Sequence, residues 1–571
     1  MNVLRRELLP ILAALIVLVV LFARLGELPF RDPDEGRNAQ VASEMHRTGA
    51  WLLPTYDGLA YLDKPAFFFK TVAISYALFG ESEATARLPS VFFAIVLLAM
   101  LFAFCRREYP ERSTASLAVI VAVTSPLFLA LARHVIFDMT LACFVSGAIF
   151  ACYLAEASEG RVRRNWYLLG AAAAGLATLV KGPVGFLIPL LVVVAFNLVE
   201  GRKGWAGRAF SPWNILAFLV VVLPWFIGLS IVRPDFPYYG LVEESFHRFT
   251  KTSTFQRGGP FYYYGLVLLG GFFAWSLLFP EAVARIWKYR HKLARADRFF
   301  IVWTLVVVIF FSISKSKLPH YILTVSVTLG ALIARLFVVA LANRSGGAAR
   351  MIFRGLIFLA LFCVPVAGFL FLESFSPGAY ERMGLKGREF GRLTLLFEPT
   401  AIVLLVIAVM ASFAAWRRDV RIAFATFLLL PVLLLTADFN ALKAYSEASS
   451  SRQIVLGIPP LPPDTRVACY RAFPCGLLFY LKKDVTLISP DGNELTSNYV
   501  TFTLKKTHPW PDQMVPLDQS DTWLKTQTKP VFLMTNKSWR DDLTLLAHAR
   551  KAEIREFAPG WWGALLSPAG N

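Results

Sequence analysis

The sequence predicts a polytopic α-helical membrane protein with a small α/β domain after its last span. Three observations lead there. Of 571 residues, 56% are hydrophobic and only 17% charged, with a mean hydropathy of +0.55, whereas soluble domains carry about a quarter charged residues. Apolar runs of about 15 to 21 residues recur up to about residue 438, close to the ~20 needed to cross a ~30 Å hydrocarbon core. The 58 Lys and Arg against 39 Asp and Glu, net +19, sit in short clusters between those runs. No basic stripe is interleaved with aromatics, so the charge reports membrane orientation and not nucleic-acid binding.

About thirteen spans are expected, near 8–23, 87–105, 114–131, 139–157, 165–180, 184–199, 213–232, 262–282, 299–314, 319–338, 352–372, 399–416 and 421–437. The first lacks a small-residue cleavage site, which argues against a removed signal peptide. With that count the clusters Arg5/Arg6, Arg106/Arg107/Arg112, Arg161/Arg163/Arg164, Arg202/Lys203/Arg208, Arg285 to Arg298, Arg344/Arg350/Arg354 and Arg417/Arg418/Arg421 share one side. Positive charge marks that side as cytoplasmic. Segments 24–86, 233–261, 373–397 and the chain after about 438 then lie outside. Pro65 to Phe79 is apolar but short and contains Lys70, so it is laid in the interface as an amphipathic helix. A second short helix, Glu35 to Arg47, is expected beside it. The expected division is a transmembrane domain at 1–438 and an exported α/β domain at 439–571.

In the tail, Thr465–Tyr470, Asp484–Ser489 and Pro530–Thr535 read as short buried strands. Gly476–Lys483 and Asp541–Lys551 read as helices between them. Pro459 to Pro463 forms the linker. Cys469 and Cys475 are the two cysteines of this exported part, which predicts a disulfide between them. Cys105, Cys143, Cys152 and Cys363 fall in or beside spans, where they serve as small apolar residues.

Ionisable residues near lipid are costly, and here they gather at one face. The first exported loop opens Arg31-Asp32-Pro33-Asp34-Glu35-Gly36-Arg37, in which Pro33 holds Asp32 out of helix and Asp34 is placed to cap the helix that follows. Asp63-Lys64-Pro65 ends the same loop. Arg133, His134 and Asp138 fill a short outer loop, and Lys181-Gly182-Pro183 ends span five. Glu243, Glu244, His247 and Arg248 follow span seven, and Lys315, Lys317, His320 and Tyr321 lie between spans nine and ten. A ring of cations suits a phosphate-bearing lipid head group, and carboxylates among them suit acid/base or positioning work. Phe67-Phe68-Phe69 and Phe261 to Tyr264 read either as a groove for a hydrocarbon tail or as an interfacial aromatic belt.

These residues carry a resemblance. Asp-Pro-Asp-Glu-x-Arg (32–37), Ser-Glu-Met (43–45) with Gly49 and Trp51, Asp-Lys-Pro (63–65), Asp138, Lys-Gly (181–182) and Leu-Pro-Trp (223–225) form its first part. Glu-x-x-x-Arg-Phe (244–249), Pro-Phe-Tyr-Tyr-Tyr (260–264) and Lys-x-Lys-Leu-Pro-x-Tyr-Ile-Leu (315–323) complete it. In order and spacing the chain resembles bacterial ArnT-type transferases, which are GT-C membrane enzymes related to protein O-mannosyltransferases. The resemblance runs along nearly the whole chain and implies a bacterial inner-membrane glycosyltransferase. Such an enzyme takes 4-amino-4-deoxy-L-arabinose from undecaprenyl phosphate and places it on a lipid A phosphate at the periplasmic face, lowering the binding of polymyxin-like peptides. It implies Asp34 and Asp138 as catalytic carboxylates, and Lys64 and Arg37 as cations near the donor phosphate. Asp63, Glu244, Arg248, Lys315, Lys317 and Tyr321 are implied as substrate-binding residues.

The chain departs from the pattern in places. Asp63 stands where the family often has Glu, and Asn38 where it has Tyr. Ser245 occupies the usual histidine position, with His247 displaced by two. A divalent metal, zinc, is therefore expected only as a two-ligand site between Asp63 and His247. Two other readings stay open. One is a GT-C enzyme moving another polyprenyl-linked sugar to a different lipid, glycan or protein hydroxyl. The other, from a different class, is a lipid transporter, against which the charges at span ends and the lack of paired halves both count.

Overall fold

A computed structural model describes residues 2–247, 258–375, 394–503, 506 and 509–568. Among these, eight helices are long and apolar enough to cross a membrane, or ten if each of two bent pairs is one span. The chain is a multi-span membrane protein. The remaining expected spans coincide with helices that are short, Leu8–Phe22 and Val184–Val199, or that begin among charges, Gly160–Lys181. The helix Phe67–Phe79 has 13 residues, roughly 20 Å of rise, too short to cross a bilayer.

Two expected spans are not straight. Ser113–Thr124 and Pro126–Ala132 meet at 72°, because Ser125, which precedes proline, takes an extended backbone with ψ 130°. Tyr263–Gly271 and Trp275–Lys288 meet at 112°, so 262–282 is not one continuous helix. Gly270 and Gly271 weaken that helix end, and Trp275 turns inward to stack on Phe427 at 5.5 Å. The tenth expected span also starts late. Pro319–Ile322 is a 3-10 turn and the α-helix runs Val325–Ala342, which leaves 314–324 as a longer connection.

The chain forms two compact units, each assembled from three stretches of sequence. The first comprises Met1–Leu25, Ser90–Val222 and Phe249–Tyr445. Its interior packs aromatics from several helices: Phe104 on Phe150 at 4.6 Å, Tyr153 on Phe299 at 4.5 Å, and Phe150 on Trp303 at 5.4 Å. Lipid tails are as apolar as these rings, so close fit and dispersion hold the helices together.

The second unit comprises Gly26–Pro89, Leu223–Arg248 and Ser446–Asn571. It contains the helix Asp34–Thr48, a hairpin of β1 (Thr55–Tyr56) and β2 (Leu59–Ala60), and the helix Phe67–Phe79. Its largest element is a six-stranded sheet. The strands are β3 (Arg466–Tyr470), β4 (Val485–Ser489), β5 (Met514–Pro516), β6 (Val531–Asn536), β7 (Ile554–Ala558) and β8 (Trp561–Leu566), in the order β5-β4-β3-β6-β8-β7. β5, β4, β3 and β6 are parallel; β8 runs antiparallel to β6, and β7 antiparallel to β8, so β7 again points the same way as β6. The three predicted strands match β3, β4 and β6 to within a residue or two.

The predicted disulfide is absent, and both Cys469 and Cys475 are free thiols. Cys469 lies on β3, fully buried. Cys475 lies in the next loop with its Sγ 3.2 Å from the Thr496 hydroxyl. Burial raises both thiols, Cys475 to about 11, which leaves them inert at neutral pH.

Candidate active site

In the second unit the first-loop charges are held in pairs. Asp34 opens the helix Asp34–Thr48 and is not its cap; no side-chain bond caps this helix. Its carboxylate instead accepts a hydrogen bond from Arg37 Nη2, one turn on, at 2.6 Å. Arg37 is only 11% exposed and Asp34 57%, so the pair presents its carboxylate outward and buries its cation. The Arg37 Nη1 donates to the Thr496 carbonyl at 3.0 Å and to its hydroxyl at 2.6 Å. Burial opposes the Arg37 charge, but Tyr61, Asp34, Cys475 and Asp63 outweigh it and hold the guanidinium firmly protonated.

Lys64 forms an ion pair with Glu244, both side chains nearly buried, and also donates to the Asp63 carbonyl at 2.5 Å. The second oxygen of Glu244 accepts from Asn498 Nδ2 at 2.8 Å. Asp63 itself is 5% exposed. Its carboxylate accepts from Tyr239 Oη, Asn498 N and Tyr499 N, each at 2.8 Å, and from Ser497 Oγ at 3.3 Å. Both oxygens are thus engaged by protein donors, and Asp63 pins the loop after β4. Burial, and next the Asp63 charge, raise the Tyr239 phenol well above its ordinary range, so it stays a donor.

That commitment bears on the expected metal. A zinc ligand needs a free carboxylate lone pair directed at the ion, and the Asp63 oxygens already serve four donors. Three of those donors fall on Oδ1 and one on Oδ2, and the described residues hold no group of three or more candidate ligands. The His247 side chain and all of Arg248 lie outside the described residues.

The first unit has its own cluster. Asp138 opens the helix Asp138–Glu156 and is 1% exposed. Its Oδ1 receives Lys181 Nζ at 2.5 Å, and its Oδ2 lies 3.7 Å from His320 Nε2. The Lys181 ammonium also sits over the rings of Phe137 and Tyr321, at 4.8 and 4.9 Å, where cation–π attraction holds it. Lys317 is buried and donates to the Ser314 carbonyl at 2.6 Å. Lys315 is exposed and joins no described ion pair.

The candidate residues therefore fall into two groups: Asp34, Arg37, Asp63, Lys64 and Glu244 in one unit, Asp138, Lys317 and Tyr321 in the other. Tyr239, Thr496, Asn498 and Tyr499 are additional members that motif reading does not reach. One signal bears on the last three: they follow a parallel strand, and the carboxyl ends of such strands carry sites in α/β sheets.

Residues 63–227 match the family described as dolichyl-phosphate-mannose-protein mannosyltransferase. A curated protein of Erwinia tasmaniensis, named undecaprenyl phosphate-alpha-4-amino-4-deoxy-L-arabinose arabinosyl transferase, is 30% identical over 304 residues. That match covers 53% of this chain and 54% of the relative, so the chain spans little more than half the length of the first relatives it matches. A protein of the same name from Shewanella sediminis is 29% identical over 74% of this chain and 75% of its own. The crystal structure of ArnT from Cupriavidus metallidurans bound to undecaprenyl phosphate superposes with a TM-score of 0.81 and 26% identity, covering 97% of each chain. Fold and site together define a polytopic membrane protein of the GT-C class, with charged clusters beside its spans and a C-terminal sheet. Within that class the chain is similar in fold and sequence to ArnT-type glycosyltransferases.

Proposed function

We propose that the protein transfers 4-amino-4-deoxy-L-arabinose from undecaprenyl phosphate to a phosphate of lipid A, at the periplasmic face of the bacterial inner membrane. The observation that carries this reading is the buried placement of Arg37 and Lys64, each held by a carboxylate, on the first loop. Two fixed cations suit the phosphate of a lipid-linked sugar. In the same unit, Phe226, Ile227, Ile231, Phe236 and Pro237 line an apolar groove of about 370 Å³, suited to a hydrocarbon tail.

In the transfer, a phosphate oxygen of the acceptor attacks the anomeric carbon. The bond from that carbon to the undecaprenyl phosphate oxygen breaks, and its electron pair leaves on that phosphate. The acceptor phosphate is already anionic near neutral pH, so no base is required. Asp34, the more exposed partner of its pair, then orients the sugar and stabilises positive charge developing at the anomeric carbon, while Arg37 and Lys64 stabilise the departing phosphate. Asp63 acts indirectly, by fixing the loop. Asp138 orients the Lys181 ammonium in its own unit. The positive-inside distribution of Lys and Arg supports an orientation with the first loop outside the cytoplasm.

The test is mass spectrometry of lipid A from a host that supplies undecaprenyl-phosphate-aminoarabinose and expresses either wild type or Asp34→Asn. The expected outcome is an aminoarabinose increment with wild type and at least a hundredfold less with the variant at equal membrane abundance. Unmodified lipid A from cells holding folded wild type would refute the acceptor and sugar named here.

A further inference from the structure

Two side chains of the C-terminal segment hold the groups of the first-loop site. Thr496 receives Arg37 twice, on its carbonyl at 3.0 Å and on its hydroxyl at 2.6 Å. It does so from a left-handed backbone with φ +54°. Glycine and asparagine adopt that conformation far more readily than a β-branched residue does. Threonine there keeps a hydroxyl where the backbone alone favours its absence. Asn498, two residues on, donates to Glu244 Oε2 at 2.8 Å while the other oxygen of Glu244 pairs with Lys64.

We propose that Thr496 and Asn498 are positioning residues for sugar transfer. Thr496 sets the plane of the Arg37 guanidinium, and Asn498 sets Glu244 and through it the Lys64 ammonium. The inference rests on the reading of Arg37 and Lys64 as donor-phosphate groups. Long cationic side chains lose much rotamer freedom when they grip a ligand. Groups already fixed by the loop after β4 do not have to be ordered by the substrate. The exported α/β segment thereby becomes a working part of the donor site.

The experiment uses the full chain in proteoliposomes with undecaprenyl-phosphate-aminoarabinose and lipid A. Thr496→Val preserves the β-branched shape and removes the hydroxyl. The KM for the donor should rise about tenfold with kcat changed far less, and Thr496→Ser should recover most of the loss. Asn498→Ala should raise the donor KM by a similar factor. Binding of undecaprenyl phosphate closes the cycle: in an Arg37→Ala background Thr496→Val should weaken it no further.

An unchanged donor KM in both variants overturns the proposal. So does equal loss with Val and Ser at position 496, or an undiminished Thr496→Val effect in the Arg37→Ala background. Should Thr496→Val fail to fold, the donor KM of Asn498→Ala alone decides. The two readings separate cleanly. If Arg37→Ala leaves transfer intact, the donor-site reading has failed; if Arg37→Ala abolishes transfer while both tail variants behave as wild type, only the positioning role has.

Discussion

Asp32 is a carboxylate in a place that disfavours its charge. Burial pushes its pKa up to about 6, the Ser451 hydroxyl and amide work against that rise, and Glu35 adds to it. In the unfolded chain the same group titrates near ~3.9. Between those values the folded protein binds more protons than the unfolded one, so this residue makes stability fall as the pH rises from about 4 to about 6. Above that window the penalty is constant, about 3 kcal/mol at the usual 1.36 kcal/mol per pH unit. Asp32→Asn keeps an oxygen for Ser451 and discards the charge. Thermal unfolding of the variant in detergent should show a higher midpoint than wild type at pH 7.5 and no advantage near pH 4. A gain of equal size at both pH values would mean that titration of Asp32 is not its source.

At the scale of elements, the helix Asp34–Thr48 is fixed to the start of Glu83–Glu108 by one buried pair. Arg87 Nε and Nη2 each lie 3.0 Å from a Glu35 oxygen, and the two side chains are 4% and 5% exposed. Arg87 also donates to the Leu28 carbonyl at 2.7 Å. A buried pair adds little net stability, but losing one partner strands a charge at a cost of about 3–5 kcal/mol. Glu35→Ala should destabilise the second unit by that amount in denaturant unfolding, and a Glu35→Leu/Arg87→Met double variant should regain most of it. A single variant within ~1 kcal/mol of wild type would refute the claim. Much of this element structure is readable from sequence. The strands β3, β4 and β6 are apolar runs fit for a sheet buried on both faces, and the two loop helices fall where the sequence expects them. Other elements are hidden for physical reasons. β5 has three residues, β7 mixes Arg555 and Glu556 into its run, and β8 carries Gly563 at its centre. The two bends depend on how Pro126 and Trp275 pack, which local pattern does not report. The site divides in the same way. Asp34, Arg37, Lys64 and Glu244 stand out because charge beside a span is costly. Thr496 and Asn498 are neutral residues between β4 and β5, at the ends of a short turn and a short helix, and only the fold brings them to Arg37 and Glu244.

At the scale of the molecule, the second unit is discontinuous along the chain, so its first loop and its C-terminal segment depend on each other. Five residues of the first loop are held by the C-terminal segment. Asp63 receives two backbone amides from the loop after β4, and Arg37 bonds Thr496. Tyr56 donates to the Cys475 carbonyl at 2.8 Å, and Asp32 accepts from the Ser451 amide at 3.1 Å. Phe30 packs edge-on against Phe479 at 4.9 Å. Removing the chain after Tyr445 would strip every one of these partners. Asp63 would become a buried acceptor with four donors reduced to one, and Arg37 would lose both of its bonds to Thr496. An uncompensated buried polar group costs about 1–3 kcal/mol, and several together exceed the few kcal/mol that hold a local segment in place. The chain truncated after Tyr445 should therefore insert in the membrane with its helical circular dichroism largely preserved, because the first unit keeps all of its own segments. Its first loop should open, and trypsin should cut after Arg31, Arg37 or Arg47 at rates at least tenfold above those of the full chain. Sugar transfer should be lost as well. Equal protease resistance in the truncated and full-length proteins would show that the loop holds its shape without the C-terminal segment.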